Sequence, residues 1–104
     1  MDFDNSSIVA AYRAHSPTSA ELAEAAGQLF PSGLTHDSRY LRPYGIYVEK
    51  AEGSRKWDVD GNEYIDYVSG HGALLLGHSH PAIAEAVSKQ ILRGTHLGLS
   101  LIHI

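Results

Sequence analysis

Cysteine is absent from the 104 residues, so neither a disulfide nor a thiolate-bound metal can form here. Long apolar runs are missing too: no stretch approaches the ~20 residues that a membrane-spanning helix needs, and a membrane is not an expected partner. Positive charge is scarce, with eight Lys and Arg against twelve Asp and Glu and a net charge of -4. No basic cluster marks a phosphate-tracking surface, so nucleic acid is not an expected partner either. The opening MDFDNSS carries acid where a secretion signal carries positive charge, which points to the cytoplasm. Repeats and low-complexity tracts are lacking.

What is there suits one modest core: a chain of this length, 43% hydrophobic, can bury on the order of two thirds of its unfolded surface. Asn5, Ser6 and Ser7 are candidate caps for a short surface helix through Ile8 to Tyr12. Ser16 is placed to cap a second, with Pro17 in its first turn and Leu22, Ala25, Ala26 and Leu29 as a one-sided apolar stripe that Pro31 ends. From Ser32 to Gly45 the composition reads as an ordered loop, and loops of that length usually carry function. Three strand-like runs follow, Ile46 to Ala51, Lys56 to Val59 and Glu63 to Val68, with DGN at Asp60 to Asn62 as a tight turn.

Alternation in the second run predicts an apolar face with Trp57 and Val59 and a wet face with Lys56, Asp58 and Asp60. Three strands bury little alone, and two of them are edges that call for a cover. A last helix opens at Pro81, with Ser79 or His80 as cap and Gly94 past its end. Ile83, Val87 and Ile91 line one side of it, while Glu85 and Lys89 pair on the other.

Arg39, in GLTHDSR, is the first candidate for chemistry. A guanidinium fork takes a carboxylate bidentately and keeps its charge at every physiological pH. One hydrogen bond to a charged group contributes about 1.5–3 kcal/mol, roughly 10- to 150-fold in affinity, enough to select acids over neutral amines. A solvated loop arginine is the bland alternative. His71 offers an imidazole that titrates near neutrality and can stack on or bond to a substrate, or simply bond to backbone nearby.

His78 and His80 of GHSHP, with His71 before them and His96 after, invite a metal reading. Neither an H-E-x-x-H helix nor a cysteine pair completes a site, so no metal is expected. Instead Gly77 should permit a close backbone approach, with the histidines satisfying backbone groups at the helix start. The glycines of SGHGALLLG fit no phosphate-binding pattern, and a G-x-S-x-G elbow is absent. Lys50, Lys56 and Lys89, the only lysines, sit in strands or on an exposed helix face, and none reads as a desolvated amine for covalent catalysis. No catalytic residue is therefore expected in this chain.

Three stretches, HGALLLGHSHP from His71 to Pro81, RGTHLG from Arg93 to Gly98 and WDVDGNEYIDY from Trp57 to Tyr67, together resemble the N-terminal region of class III pyridoxal-phosphate aminotransferases. The glutamate-1-semialdehyde aminomutase branch is the nearest likeness, spanning Leu29 to Gly98, 70 of the 104 residues. That resemblance implies a parent of α/β class, fold type I, of which this chain would be an α+β piece: N-terminal helices, a small antiparallel meander and a helix. It implies pyridoxal phosphate as cofactor, held by a lysine beyond residue 104, and a homodimer as the full-length form. The substrate would be a small amino or keto acid, with an amino group moved between two molecules or within one. Arg39, by its place in PSGLTHDSR, would hold the substrate carboxylate, and His71 would stand where aminomutases carry an aromatic residue bordering the substrate. Thr35 to Ser38 depart from the Asn-Ser-Pro-Val-like stretch usual in that branch.

The expected organisation is a helical segment over 1–30, then part of the small domain and the start of the large one over 31–98. Residues 99–104, LSLIHI, match a sequencing-adaptor reading frame and are expected to be a non-native tail. On this reading the chain alone is inactive and its apolar stripes lack partners. Two rivals make different expectations. A stand-alone binding module would unfold cooperatively, and a histidine-based metalloprotein would retain stoichiometric metal through dialysis.

Overall fold

A computed structural model describes residues 6–95. Helix α1, Ser7–His15, begins where the Ser6 side chain accepts from the Val9 N–H at 3.1 Å. Asn5, the other cap candidate, lies outside the described residues. Helix α2, Pro17–Leu29, starts with proline at its first position and stops at Phe30, one residue before Pro31. The loop that follows is ordered by two 3-10 turns, Pro31–Gly33 and Asp37–Arg39.

The meander is an antiparallel sheet in the order β1 (Val48–Glu52), β2 (Arg55–Asp58), β3 (Glu63–Ile65). Two of its strands are shorter than the alternation predicts. The first begins late because Tyr47 is drawn to the helices, its N–H donating to Ser19 Oγ at 3.3 Å, and the ladder is irregular between Val48 and Lys50. The third ends at Ile65 because the Asp66 carboxylate accepts from the N–H groups of Val68 and Ser69, turning the chain out of the sheet. Helix α3, Pro81–Ile91, opens at its proline as expected.

The expected wet face of β2 is corrected. Asp58 is 0% exposed, the most buried large side chain described, where alternation had placed it in water. Its carboxylate accepts from the N–H groups of Asp60 and Asn62, from Asn62 Nδ2 and from the Tyr64 hydroxyl, at 2.8 to 3.0 Å. A carboxylate with that many donors sits stably where an unpaired one would not. The DGN turn it braces then grips both N-terminal helices. Asp60 accepts from the N–H groups of Thr18 and Ser19 at 2.7 and 3.0 Å, and Asn62 Nδ2 donates to the His15 carbonyl at 2.7 Å.

Ser16 was expected to cap α2, and this too is corrected: its hydroxyl donates back to the Tyr12 carbonyl at 2.8 Å, and Asp60 supplies the cap from 42 residues away. A carboxylate is a better partner for a helix N-terminus than a hydroxyl, since it also meets the positive end of the helix dipole. The hub is completed by Tyr12, whose hydroxyl donates to the Tyr44 carbonyl at 2.6 Å, its ring 5.2 Å from that of Tyr44. Burial, then the neighbouring Tyr44 and Asp58, raise the Tyr12 pKa.

Among the described residues no apolar side chain is fully buried; the buried ones are Ser16, Ser19, Asp58 and Asp66. The modest core expected from composition is therefore a polar one. The α2 stripe stays open, with Leu29 77% exposed, as do Ile83, Val87 and Ile91 along α3.

Candidate functional site

The loop from Pro31 to Tyr40 encloses an open cleft of about 550 Å³, lined by Pro31, Ser32, Leu34, Thr35, His36 and Tyr40. It is anchored on α2 at Gly33, where an added Cβ would come within 3.2 Å of the Gly27 nitrogen. Arg39 stands beside this cleft rather than in its wall, exposed at the end of the second 3-10 turn. Its Nη1 donates to the hydroxyl of the wall residue Thr35 at 2.9 Å, and its backbone N–H donates to the His36 carbonyl at 3.1 Å. The Ser38 N–H donates to His36 Nδ1 at 3.2 Å, closing the turn that carries the guanidinium.

His71 is not part of that wall. It lies exposed in a tight turn after β3, with a φ of 57°, a conformation uncommon for any residue but glycine. Hydrogen bonds from Gly72 N–H to the Val68 carbonyl and from Leu74 N–H to the Ser69 carbonyl hold the turn. The structure thus leaves the two candidate residues on separate segments.

A buried charge cluster went unforeseen. Asp66, whose side chain is 3% exposed, meets His78 Nε2 at 2.6 Å and Lys56 Nζ at 3.1 Å. The His78 contact, outweighing burial, and then Lys56 and the Ser69 and Val68 N–H groups hold the Asp66 carboxyl far below the usual carboxylate range. The histidines therefore do not satisfy backbone at the helix start, which corrects that expectation. His78 bonds a carboxylate, and α3 has no side-chain cap, because the Ser79 hydroxyl donates to the Ala51 carbonyl instead. His80 keeps a buried Nδ1 without a partner among the described residues. The close approach expected at Gly77 is present: a Cβ there would lie 2.8 Å from the Gly53 carbonyl oxygen, across the Gly53–His78 bridge. Asp66 and His78 are 12 residues apart, and periodicity carries no signal for such a pair.

No group of three or more His, Cys, Asp or Glu among the described residues is arranged to hold a metal; His96 lies outside them. Each of the three lysines is already engaged. Lys56 is engaged by Asp66, Lys89 pairs with Glu85 at 2.5 Å, and Lys50 lies over the Trp57 ring at 5.1 Å. None projects desolvated into a pocket, so the residues present do not by themselves fit pyridoxal phosphate.

A helix-flanked antiparallel meander with an arginine-bearing loop at its edge is the arrangement compared with known proteins. Residues 36–104 match the family described as Aminotransferase class-III, and the chain belongs to that family. It is 47% identical over 81 residues to a glutamate-1-semialdehyde 2,1-aminomutase of Thermoplasma volcanium, covering 78% of this chain and 19% of that protein. The fold is similar to a β-phenylalanine aminotransferase from Variovorax paradoxus, with a TM-score of 0.76, 26% identity and coverage of 88% of this chain and 21% of that one. It is also similar to a variant glutamate-1-semialdehyde aminomutase from Pseudomonas aeruginosa PAO1 in complex with PMP, with a TM-score of 0.75, 28% identity and coverage of 85% and 20%. The chain spans about a fifth of the length of the relatives it matches. Its architecture is the α+β piece expected of the fold type I class.

Proposed function

We propose that this chain is the substrate-side N-terminal part of a pyridoxal-phosphate-dependent class III enzyme that moves an amino group between an amino acid or amine and a carbonyl compound, or within one substrate. The observation that carries this reading is Arg39, tied by Thr35 to the wall of an open cleft, in the stretch that matches the family. When bound, the cofactor supplies the electron sink for that chemistry. The residues of this chain do the rest of the work on the substrate side. Arg39 binds the carboxylate and orients the substrate, and Pro31, Leu34 and Tyr40 give its carbon skeleton an apolar wall to lie against. His71, held in a strained turn, borders the substrate.

The similarity to an aminomutase with PMP supports the choice of cofactor. Since no lysine here fits the cofactor, we assign that lysine to residues beyond this chain. The same proposal places 1–30 as a helical segment, 31–98 across the small domain and the start of the large one, and 99–104 as a non-native tail. The intact enzyme is a cytoplasmic homodimer acting on small amino or keto acids. Among the described residues no helix is long and apolar enough to cross a membrane.

The test is steady-state kinetics of the intact enzyme with Arg39→Gln. A loss of roughly 10-fold or more in kcat/KM for carboxylate donors, with carboxylate-free amines little affected, is expected. Equal effects on both donor types would remove the clamp from the account.

A further inference from the structure

The residue that holds the arginine is Thr35, four positions before it on the same loop. Thr35 Oγ1 accepts from Arg39 Nη1 at 2.9 Å across a turn whose backbone is closed by the Arg39 N–H to His36 carbonyl bond. An arginine on a loop is otherwise free to sample many rotamers and loses that freedom when it grips a ligand. Fixing Nη1 removes part of that loss beforehand and aims the guanidinium plane. A bidentate carboxylate then belongs on the Nε–Nη2 edge, since the Nη1 side is turned to Thr35.

We propose that Thr35 is a positioning residue: its hydroxyl fixes the reach of the Arg39 fork and so determines which carboxylate-bearing substrates the cleft accepts. This rests on the reading of Arg39 as the clamp. The lining beside it, Leu34, Tyr40 and Pro31, suits a carboxylate carried on an apolar body.

The experiment compares Thr35→Val, Thr35→Ser and Arg39→Gln in the holoenzyme, with an amino acid and its decarboxylated amine as the two donors. Valine keeps the shape of threonine and removes the acceptor; serine keeps the acceptor. Thr35→Val should raise KM for the amino acid about 3- to 10-fold and leave kcat within about twofold, with the amine unaffected and Thr35→Ser close to the parent. A Val variant matching the parent, or losing equally on both donors, overturns the proposal. If Arg39→Gln abolishes the preference for the acid while Thr35→Val leaves it intact, the role of Thr35 alone falls. If Arg39→Gln leaves that preference unchanged, the clamp reading falls and takes Thr35 with it. Should Thr35→Val fail to fold, Thr35→Ala against Thr35→Ser makes the same comparison.

Discussion

Asp58 is the largest of the fully buried side chains described. Burial pushes its carboxyl up, but the hydrogen bonds from Asn62, Tyr64 and the Asn62 and Asp60 backbone outweigh that and hold it below its ordinary value of 3.8. Replacing it with alanine strands several half-buried donors, so Asp58→Ala should lower the stability of the intact enzyme by about 2 kcal/mol, read as a fall in Tm. Tyr64, one of those donors, is pushed up to about 12 by burial and then by its bond to Asp58. Its neutral form is favoured by folding, so the associated stability is present below pH 10 and lost as the pH rises through about 12. An ultraviolet titration of the phenolates should find Tyr64 and Tyr12 ionising late, and Tyr64→Phe should remove the step near 12. Asp66 works at the opposite end of the scale. Its folded pKa lies below 3.8, so its contribution is present above that value and lost as the pH falls beneath it. Asp66→Asn should flatten the acid limb of a Tm-against-pH curve. Neither Asp58 nor Asp66 announces its burial in sequence. A period-two pattern says which side of a strand a residue faces, not whether the side that reads polar lies against other polar groups.

The elements themselves were legible to within a few residues, because their ends are set by local chemistry. Pro17 and Pro81 open helices, Pro31 stops one, and the DGN turn sits between β2 and β3. What local chemistry does not encode is who caps whom. Asp60 reaches α2 across 42 residues, a link made only once the sheet has formed. Asp60→Ala should therefore speed amide hydrogen exchange at Thr18 and Ser19 without touching the start of α1, which Ser6 caps; equal change in both helices would refute the link. Two glycines at positive φ should separate in the same way. Gly61, at a φ of 84°, has open space around it, so Gly61→Ala costs only strain, about 1 kcal/mol. Gly77→Ala adds a clash with the Gly53 carbonyl to its positive φ and should cost clearly more in Tm.

The candidate site was legible only in part: Arg39 could be singled out by its chemistry, but the cleft beside it and the hold of Thr35 depend on how residues 31–40 wrap against α2.

At the scale of the molecule, accessible surface and shape agree. The surface is 8690 Å², against roughly 5,700 Å² for a compact globule of this mass, and the radius of gyration is 17.9 Å where a 100-residue domain has about 13 Å. With α3 exposing Ile83, Val87 and Ile91 and the buried positions occupied by polar groups, hydrophobic burial contributes little to holding the shape. By itself, the 104-residue chain should melt without a cooperative transition and bind a hydrophobic dye, while a sharp calorimetric peak would speak for a self-sufficient module.

The central claim is that this chain contributes substrate recognition to a pyridoxal-phosphate enzyme whose cofactor is held by other residues. Expression of the reading frame continued past Gly98, alongside the 104 residues alone, tests it most directly by measuring pyridoxal phosphate bound per chain together with amino-group transfer. The account predicts one cofactor and activity for the longer protein and neither for the shorter. Cofactor-dependent turnover by the 104 residues alone, or its absence from both, would contradict it.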